Sequence, residues 1–236
     1  MTRDHDHWAL HAADWIAWAR TPGHDAFWAY RGAFAAFVGP GPGRAIDVGC
    51  GEGRLSRLLG ELGWTVTASE PVAALLQAAR EAGSAGTYHR AAADALPVPD
   101  GAFDLVLSYN MLMDVADPAA AMVEMVRVLA PGGRLVVSIV HPLADMLLLA
   151  KDGENAEAYF GRKAFEVSET KNGLTMAFKG WAMPLSDYAD LLTGAGLAIT
   201  RISEPRADRT TGWSGAGRWS DLPLFLWIEA RRFSAA

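Results

Sequence analysis

Apolar and polar positions change period along the chain, and each change marks an element. Trp8, Ala12, Trp15 and Ala19 recur at helical spacing, with Trp18 beside them, so residues 8–20 read as a helix that Thr21-Pro22-Gly23 ends. A second helix is predicted over about 25–38, rich in Phe27, Trp28, Tyr30, Phe34 and Phe37. Gly39-Pro40-Gly41-Pro42-Gly43 then breaks the pattern. From residue 44 onward, short apolar runs alternate with amphipathic stretches. The runs 44–48, 64–69, 87–91, 103–109 and 135–140 read as strands, with helices over 53–62, 72–82 and 119–129 between them. The run Phe103 to Tyr109 is largely apolar, as expected for a strand covered on both faces.

This alternation predicts an α/β fold, a three-layer arrangement of a seven-stranded, mostly parallel sheet with helices on both faces. Residues 141–181 interrupt it. Two strand-like stretches, 163–169 and 174–181, flank Lys171-Asn172-Gly173, and Asn-Gly is a hairpin signal. The segment is expected to be an inserted β-hairpin over the active-site edge. A helix over 185–192 and strands over 197–203 and 223–230 complete the pattern. Residues 205–221, rich in Gly, Ser and Arg, are expected to form a mobile loop.

The chain has 236 residues, enough for one domain with a substantial core, and 1–236 is expected to be that one domain. A net charge of −6 disfavours non-specific nucleic-acid binding, which works by neutralising phosphates. The single cysteine, Cys50, leaves no internal disulfide to form and fits a reducing compartment. The first residues lack a signal-peptide pattern, and no apolar run reaches a membrane span. A soluble cytoplasmic protein, with no membrane or nucleic-acid partner, is the expectation.

The densest chemistry lies in Ala45-Ile46-Asp47-Val48-Gly49-Cys50-Gly51-Glu52-Gly53, where a strand ends in an acid and then alternate glycines. Glycines in such a loop let a ligand meet the backbone where a Cβ would clash. A dinucleotide fingerprint would need its third glycine at residue 54, and this chain has Arg54 there. The stretch instead closely resembles motif I of the class I S-adenosylmethionine (SAM) methyltransferases. Three later segments fit the same family in order: Thr67 to Pro71, Ala93 to Pro97, and Arg127 to Leu135. Together they identify a methyltransferase type 11-like, small-molecule subgroup. The resemblance covers about residues 30–204.

The resemblance implies SAM as cofactor, S-adenosylhomocysteine as product, and a reversed last strand. It implies an N-terminal helical lid over residues 1–40. Gly49, Cys50 and Gly51 offer backbone to the cofactor, and Asp47 orders the loop or faces the methionyl amine. Glu70, 19 residues after Gly51, is expected to accept from the ribose diol with Pro71 beside it. Asp94 is expected to accept from the adenine amine, with the backbone at Ala95 and Leu96 reaching the ring. Tyr109 and Asn110 end a strand where ligands bind in open sheets. His141, after the fifth strand, is either a general base or a histidine that packs the lid or hydrogen-bonds backbone.

The remaining candidates weigh less. His5, His7 and His11 with Asp4 and Asp6 suggest a metal site on paper, but a terminal segment is a poor scaffold, and no metal is expected. Arg206, Arg209 and Arg218 read as a solvated loop or as a flap meeting an anionic acceptor. Aromatic residues of the lid and insert argue for an apolar acceptor. The expected function is SAM-dependent methyl transfer to a small, largely apolar organic acceptor by a monomer or homodimer. The alternatives are an enzyme that uses SAM without transferring its methyl, or a non-catalytic SAM-binding module.

Overall fold

A computed structural model describes residues 5–149 and 159–233. The chain opens with helices α1 (Asp6–Leu10), α2 (Ala12–Arg20) and α3 (Ala26–Val38). The framework follows as β1 (Arg44–Val48), α4 (Arg54–Glu61), β2 (Thr65–Ser69), α5 (Ala73–Glu81), β3 (Thr87–His89), β4 (Phe103–Tyr109), α6 (Pro118–Val128) and β5 (Leu129–Val140). Then come α7 (Pro142–Leu149), the hairpin β6 (Lys163–Lys171) and β7 (Leu174–Ala182), α8 (Leu185–Gly194), β8 (Leu197–Ser203), α9 (Ala216–Trp219) and β9 (Phe225–Arg232). Among the described residues no helix is long and apolar enough to cross a membrane.

Seven strands form one sheet in the order β3-β2-β1-β4-β5-β9-β8. β1 to β5 pair in parallel, and β9 runs antiparallel between β5 and β8. The chain winds outward from β1 to β3, then returns to β4 on the other side of β1. The connections on the two sides therefore diverge, and a crevice opens beyond the carboxyl ends of β1 and β4.

Successive strand residues point to opposite faces, which fills two cores from one strand. Ile46 and Val48 join Met122, Met125 and Leu192 from α6 and α8 on one face. Ala45, Leu105 and Leu107 join Phe34 and Phe37 from α3, and Leu55 and Leu59 from α4, on the other. Trp227 of β9 is the largest fully buried side chain, wedged against Phe34 at 5.0 Å and Phe37 at 5.5 Å. The aromatic stripe of α3 is thus mostly core.

Three segments differ from the sequence pattern. β5 begins at Leu129 rather than 135, because Pro131-Gly132-Gly133 crosses the sheet edge as an irregularity, with the register shifting between Phe103 and Leu105. The segment after β5 is not all hairpin, since Leu143, Met146 and Leu147 lie on helix α7. The expected loop 205–221 is built in. A 3₁₀ turn at Arg209–Thr211 and α9 hold it, Trp219 is buried, and the Tyr30 hydroxyl donates to the Trp219 carbonyl at 3.1 Å. Its tryptophans supply the apolar surface that its composition hides.

The hairpin follows its turn signal. Asn172 and Gly173 have φ of 50° and 78°, and Lys171 pairs with Leu174 across a two-residue turn. β6 and β7 form a separate two-stranded sheet.

Trp227→Ala should remove the central wedge of one core. The expected cost is about 3–5 kcal/mol of unfolding free energy, read from a shifted urea midpoint. A loss below about 1 kcal/mol would mean that α3 and β9 are held by other contacts.

Candidate active site

The Gly-rich turn is set by backbone geometry. Gly49, Gly51 and Gly53 have φ of 72°, 58° and 90°, a region that side chains disfavour. A Cβ at Gly49 would lie 2.5 Å from Met111, and one at Gly53 2.3 Å from the Ser84 hydroxyl. Both Gly49 and Cys50 N–H groups donate to the Ser69 carbonyl, at 2.8 and 3.0 Å, so the turn is tied to the end of β2. The Gly51 N–H donates to Glu70 Oε2 at 3.0 Å.

Glu70 is thereby fixed. Its other oxygen accepts from the Val72 N–H at 2.9 Å. Burial pushes its pKa up to about 7, against the pull of those two amides. A carboxylate has about four acceptor positions, so two remain for a ligand. Asp47 accepts from the Ser56 hydroxyl at 2.6 Å, which orders the start of α4. Its burial raises its pKa to about 6.

These residues open onto a cavity of about 700 Å³. Asp47, Gly49, Cys50, Gly51, Glu70, Pro71, Asp94, Tyr109 and Asn110 all line it. Asn110 sits at φ 51° with its N–H on the Ser138 carbonyl at 2.7 Å and its Oδ1 taking the Ser138 hydroxyl at 2.9 Å. Asparagine tolerates that left-handed backbone better than most residues. Tyr109 packs edge-on to Phe34 at 4.9 Å, and its buried hydroxyl has no hydrogen-bond partner among the described residues. The Ser138 hydroxyl lies close enough to lower the Tyr109 pKa, but it donates to Asn110 instead. Burial dominates and holds the phenol protonated.

The far wall is aromatic. Trp8, Trp15, Trp18 and Phe27 from the N-terminal helices face Phe165 and Phe178 of the hairpin, with Trp213, Trp219 and Phe225 beside them. Phe178 meets Trp15 and Trp18 edge-on, at 6.3 and 5.9 Å. The hairpin tip is pinned too, for Lys171 Nζ donates to the His24 carbonyl.

Two ion-pair sets tie this wall to the Gly-rich turn. Glu52, fully buried within the turn, takes Arg20 Nε at 2.8 Å and both of its oxygens take Arg57 Nη2 at 2.9 Å. Arg54, the first residue of α4, pairs with Asp25 at 2.5 Å and lies over the rings of Trp15 and Phe27 at 4.9 and 4.6 Å.

Three expected site residues do not line the cavity. Ala95 donates its N–H to the Ala92 carbonyl at 3.2 Å, closing a turn on itself. Leu96 donates to Glu124 Oε1 at 2.8 Å, and its side chain is core. His141 is the N-terminal cap of α7. Its Nδ1 accepts from the Leu143 N–H at 3.0 Å, and the protonated Nε2 donates to Glu204 at 2.9 Å. Both ring nitrogens have partners outside the cavity, the arrangement of the backbone-bonded alternative. The loop arginines also point elsewhere. Arg209 holds Ser220 and Asp221, and Arg218 lies over Trp219 at 4.7 Å. Of the terminal histidines, His7 faces the Ala177 carbonyl at 2.9 Å and His11 meets Asp14 at 3.3 Å, while Asp4 lies outside the described residues.

Several cavity residues escape sequence reasoning. His24 is 1% exposed, edge-on to Trp18 at 4.3 Å, with neither ring nitrogen finding a partner among the described residues. Asp114 and Asp145 also line the cavity, and burial raises both pKa values, that of Asp145 to about 7, with Glu70 adding to the rise at Asp114. Each is a lone acid in an apolar run, Met111-Leu112-Met113-Asp114-Val115 and Pro142-Leu143-Ala144-Asp145-Met146-Leu147, and that was the available signal.

Glu52→Gln should cost about 3 kcal/mol, the low end for a broken buried pair because the two arginines are 38% and 32% exposed. Trypsin should then cut faster after Arg20. An unchanged cutting rate would show that the N-terminal helices are held by their rings alone. His141→Ala should cost about 1 kcal/mol as a lost helix cap and change turnover less than about threefold. A hundredfold loss of turnover would restore His141 to the chemistry.

A family model described as a methyltransferase domain matches residues 46–137. The ubiquinone biosynthesis O-methyltransferase of Caulobacter sp. (strain K31) is 36% identical over 115 residues, covering 47% of this chain and 46% of that protein. The chain therefore spans about half the length of that relative. The enzyme of the same description from Xylella fastidiosa (strain 9a5c) is 37% identical over 183 residues, covering 75% of this chain and 69% of that protein. The solved structure of an S-adenosylmethionine-dependent methyltransferase from Mesorhizobium loti is 25% identical with a TM-score of 0.64, covering 88% of this chain and 98% of that one. With its Gly-rich turn, strand-end acids and sheet order, the chain belongs to the class I SAM-dependent methyltransferases, in the type 11 group.

Proposed function

We propose that the chain transfers the methyl group of SAM to a small, largely apolar organic acceptor, leaving S-adenosylhomocysteine. One observation carries this reading. The Gly-rich turn and Glu70 share a single 700 Å³ cavity with a wall of tryptophan and phenylalanine rings. That volume is within the range of small-molecule sites. The nine carboxylates on its lining, against Arg54 and Lys179, disfavour a phosphate backbone as acceptor.

The residues present suit the cofactor. Gly49, Cys50 and Gly51 would hold its amino-acid end by backbone, with Asp47 behind them. Glu70 would take the ribose hydroxyls on its two remaining lone pairs, with Pro71 alongside, and Asp94 would take the adenine amine. When bound, SAM supplies a methyl group on a positively charged sulfur, open to in-line attack. Asn110 and Tyr109 stand at the strand end where acceptor and methyl would meet. The Tyr109 phenol, held protonated by burial, can donate a hydrogen bond but is a poor base. Catalysis then rests on alignment within a cavity that rings close off from water. The N-terminal helices would act as a lid, and the hairpin as its counterpart.

Calorimetry should find one S-adenosylhomocysteine per chain. Incubation with labelled SAM and metabolite fractions should yield a methylated product. Rearranged product without methylation would favour use of SAM as a bound cation, and binding without any turnover would favour a non-catalytic module. Glu70→Gln should weaken cofactor binding about ten- to a hundredfold, the worth of a charge-assisted hydrogen bond.

Affinity should also depend on pH. Ribose hydroxyls donate to the ionised carboxylate, so binding favours loss of the Glu70 proton. With its pKa near about 7, affinity should fall as pH drops below 7, by at most about tenfold per unit for one group. Glu70→Gln should flatten that dependence. A wild-type affinity unchanged between pH 8 and pH 5.5 would remove Glu70 from the cofactor contacts.

A further inference from the structure

The cavity carries more negative charge than the cofactor reading uses. Asp47, Glu70 and Asp94 belong to that reading. Asp25 and Glu52 are neutralised by Arg54 and by Arg20 with Arg57. Asp117 caps α6 by accepting from the Ala120 N–H, and Glu169 is exposed on β6. Asp114 and Asp145 remain, and among the described residues no cation forms an ion pair with either.

Their placement is built. Asp114 follows β4 on a turn closed by its N–H to the Met111 carbonyl at 2.8 Å. Strand β7 presses against it, with the Trp181 N–H on the Met113 carbonyl at 2.8 Å. Only a glycine fits at position 180, where a Cβ would lie 2.9 Å from Asp114 Oδ1. Asp145 comes from α7, three residues before Leu148, so both face the cavity from one side of the helix. Asp145 is 7% exposed and its Oδ2 has no partner. Both carboxylates line the one cavity and both raise the Tyr188 pKa, against the opposing pull of Arg162, and the buried Tyr188 hydroxyl has no partner among the described residues. Asp114 is partly buried and has the Trp8 indole as a hydrogen-bonding neighbour, whereas Asp145 is an unpaired buried carboxylate, which is costly unless a ligand completes it. The rings of Trp8, Trp15 and Phe178 line the same cavity, and aromatic faces attract organic cations.

Resting on the methyl-transfer reading, we propose that Asp114 and Asp145 bind a protonated amine of the acceptor while the aromatic wall takes its apolar body. The substrate class is then a lipophilic organic amine, not a neutral phenol or an acid. An ammonium could alternatively come from the amino-acid end of the cofactor, and the test separates the two sources.

Calorimetry on the full chain would compare three probes that share one ring system: tryptamine, the alcohol tryptophol and the acid indole-3-propionate. With S-adenosylhomocysteine bound, tryptamine should bind at least about tenfold more tightly than tryptophol, and the acid most weakly. Asp114→Asn and Asp145→Asn are isosteric. Each should shrink that preference below about threefold while affinity for S-adenosylhomocysteine stays within about twofold. Equal binding of tryptamine and tryptophol by the wild type would overturn the proposal. So would a preference that survives both variants. A tenfold loss of S-adenosylhomocysteine in Asp114→Asn would also overturn it, by assigning that carboxylate to the cofactor. Amine selectivity without S-adenosylhomocysteine binding would sustain the amine site and sink the methyl-transfer reading. Cofactor binding without amine selectivity would sink the amine site alone.

Discussion

A buried carboxylate holds this site together. Glu52 has no solvent exposure, sits between Gly51 and Gly53, and is neutralised by one arginine from the N-terminal helices and one from α4. Taking a carboxylate out of water costs several kcal/mol unless cations and hydrogen bonds replace the water. The chain meets that cost only when Arg20 and Arg57 both reach the turn. Glu52 therefore couples two things that look independent along the sequence, the shape of the Gly-rich turn and the docking of residues 6–20. Arg54 with Asp25 repeats the coupling one residue further on, over the faces of Trp15 and Phe27.

The cavity follows from that coupling and from sheet order. Parallel strands end in loops at one edge, and the reversal between β1 and β4 spreads those loops apart. Left alone, the crevice would be a wet cleft. The N-terminal helices and the hairpin cover it with rings, among them His24, whose two ring nitrogens have no partner among the described residues and which stands edge-on to Trp18. In such surroundings the carboxylates hold their protons more tightly, as at Asp47, Glu70 and Asp145. One apolar roof thus sets both the shape and the electrostatics of the site.

The framework was readable in the sequence because its signals are local. Strand runs, the glycines of residues 49–53 and the Asn172-Gly173 turn each specify backbone shape from adjacent residues. The strand-end acids Asp47 and Glu70 were readable for the same reason, since position relative to a strand is a local property. The roof was not. Whether Trp15 packs inward or walls a cavity depends on Phe178, more than 160 positions away. His141 was left between two readings by the sequence. Its place after β5 suggested chemistry, but a proline at the first helical position makes it a cap, and the ring turns to its own helix and Glu204. Residues 205–221 looked solvated by composition, and most of them are exposed, yet Ala207, Ala216 and Trp219 anchor the segment in the core that α3 shares.

What separates the readable from the hidden residues is the sign of their local cost. A glycine at positive φ or a strand-end acid eases a local strain or supplies a local partner, so sequence rules detect it. Asp114 and Asp145 do the opposite. Each places an acid in an apolar run, against burial preference, and gains no ion pair among the described residues in return. A fold retains such groups only where something outside the packed chain completes them, or where neighbours tolerate them protonated. Among the described residues neither Asp145 Oδ2 nor the Tyr188 hydroxyl finds a partner, so these two buried groups do not satisfy one another. The local inconsistency that makes these acids hard to explain from packing is what sets them apart from the rest of the cavity lining.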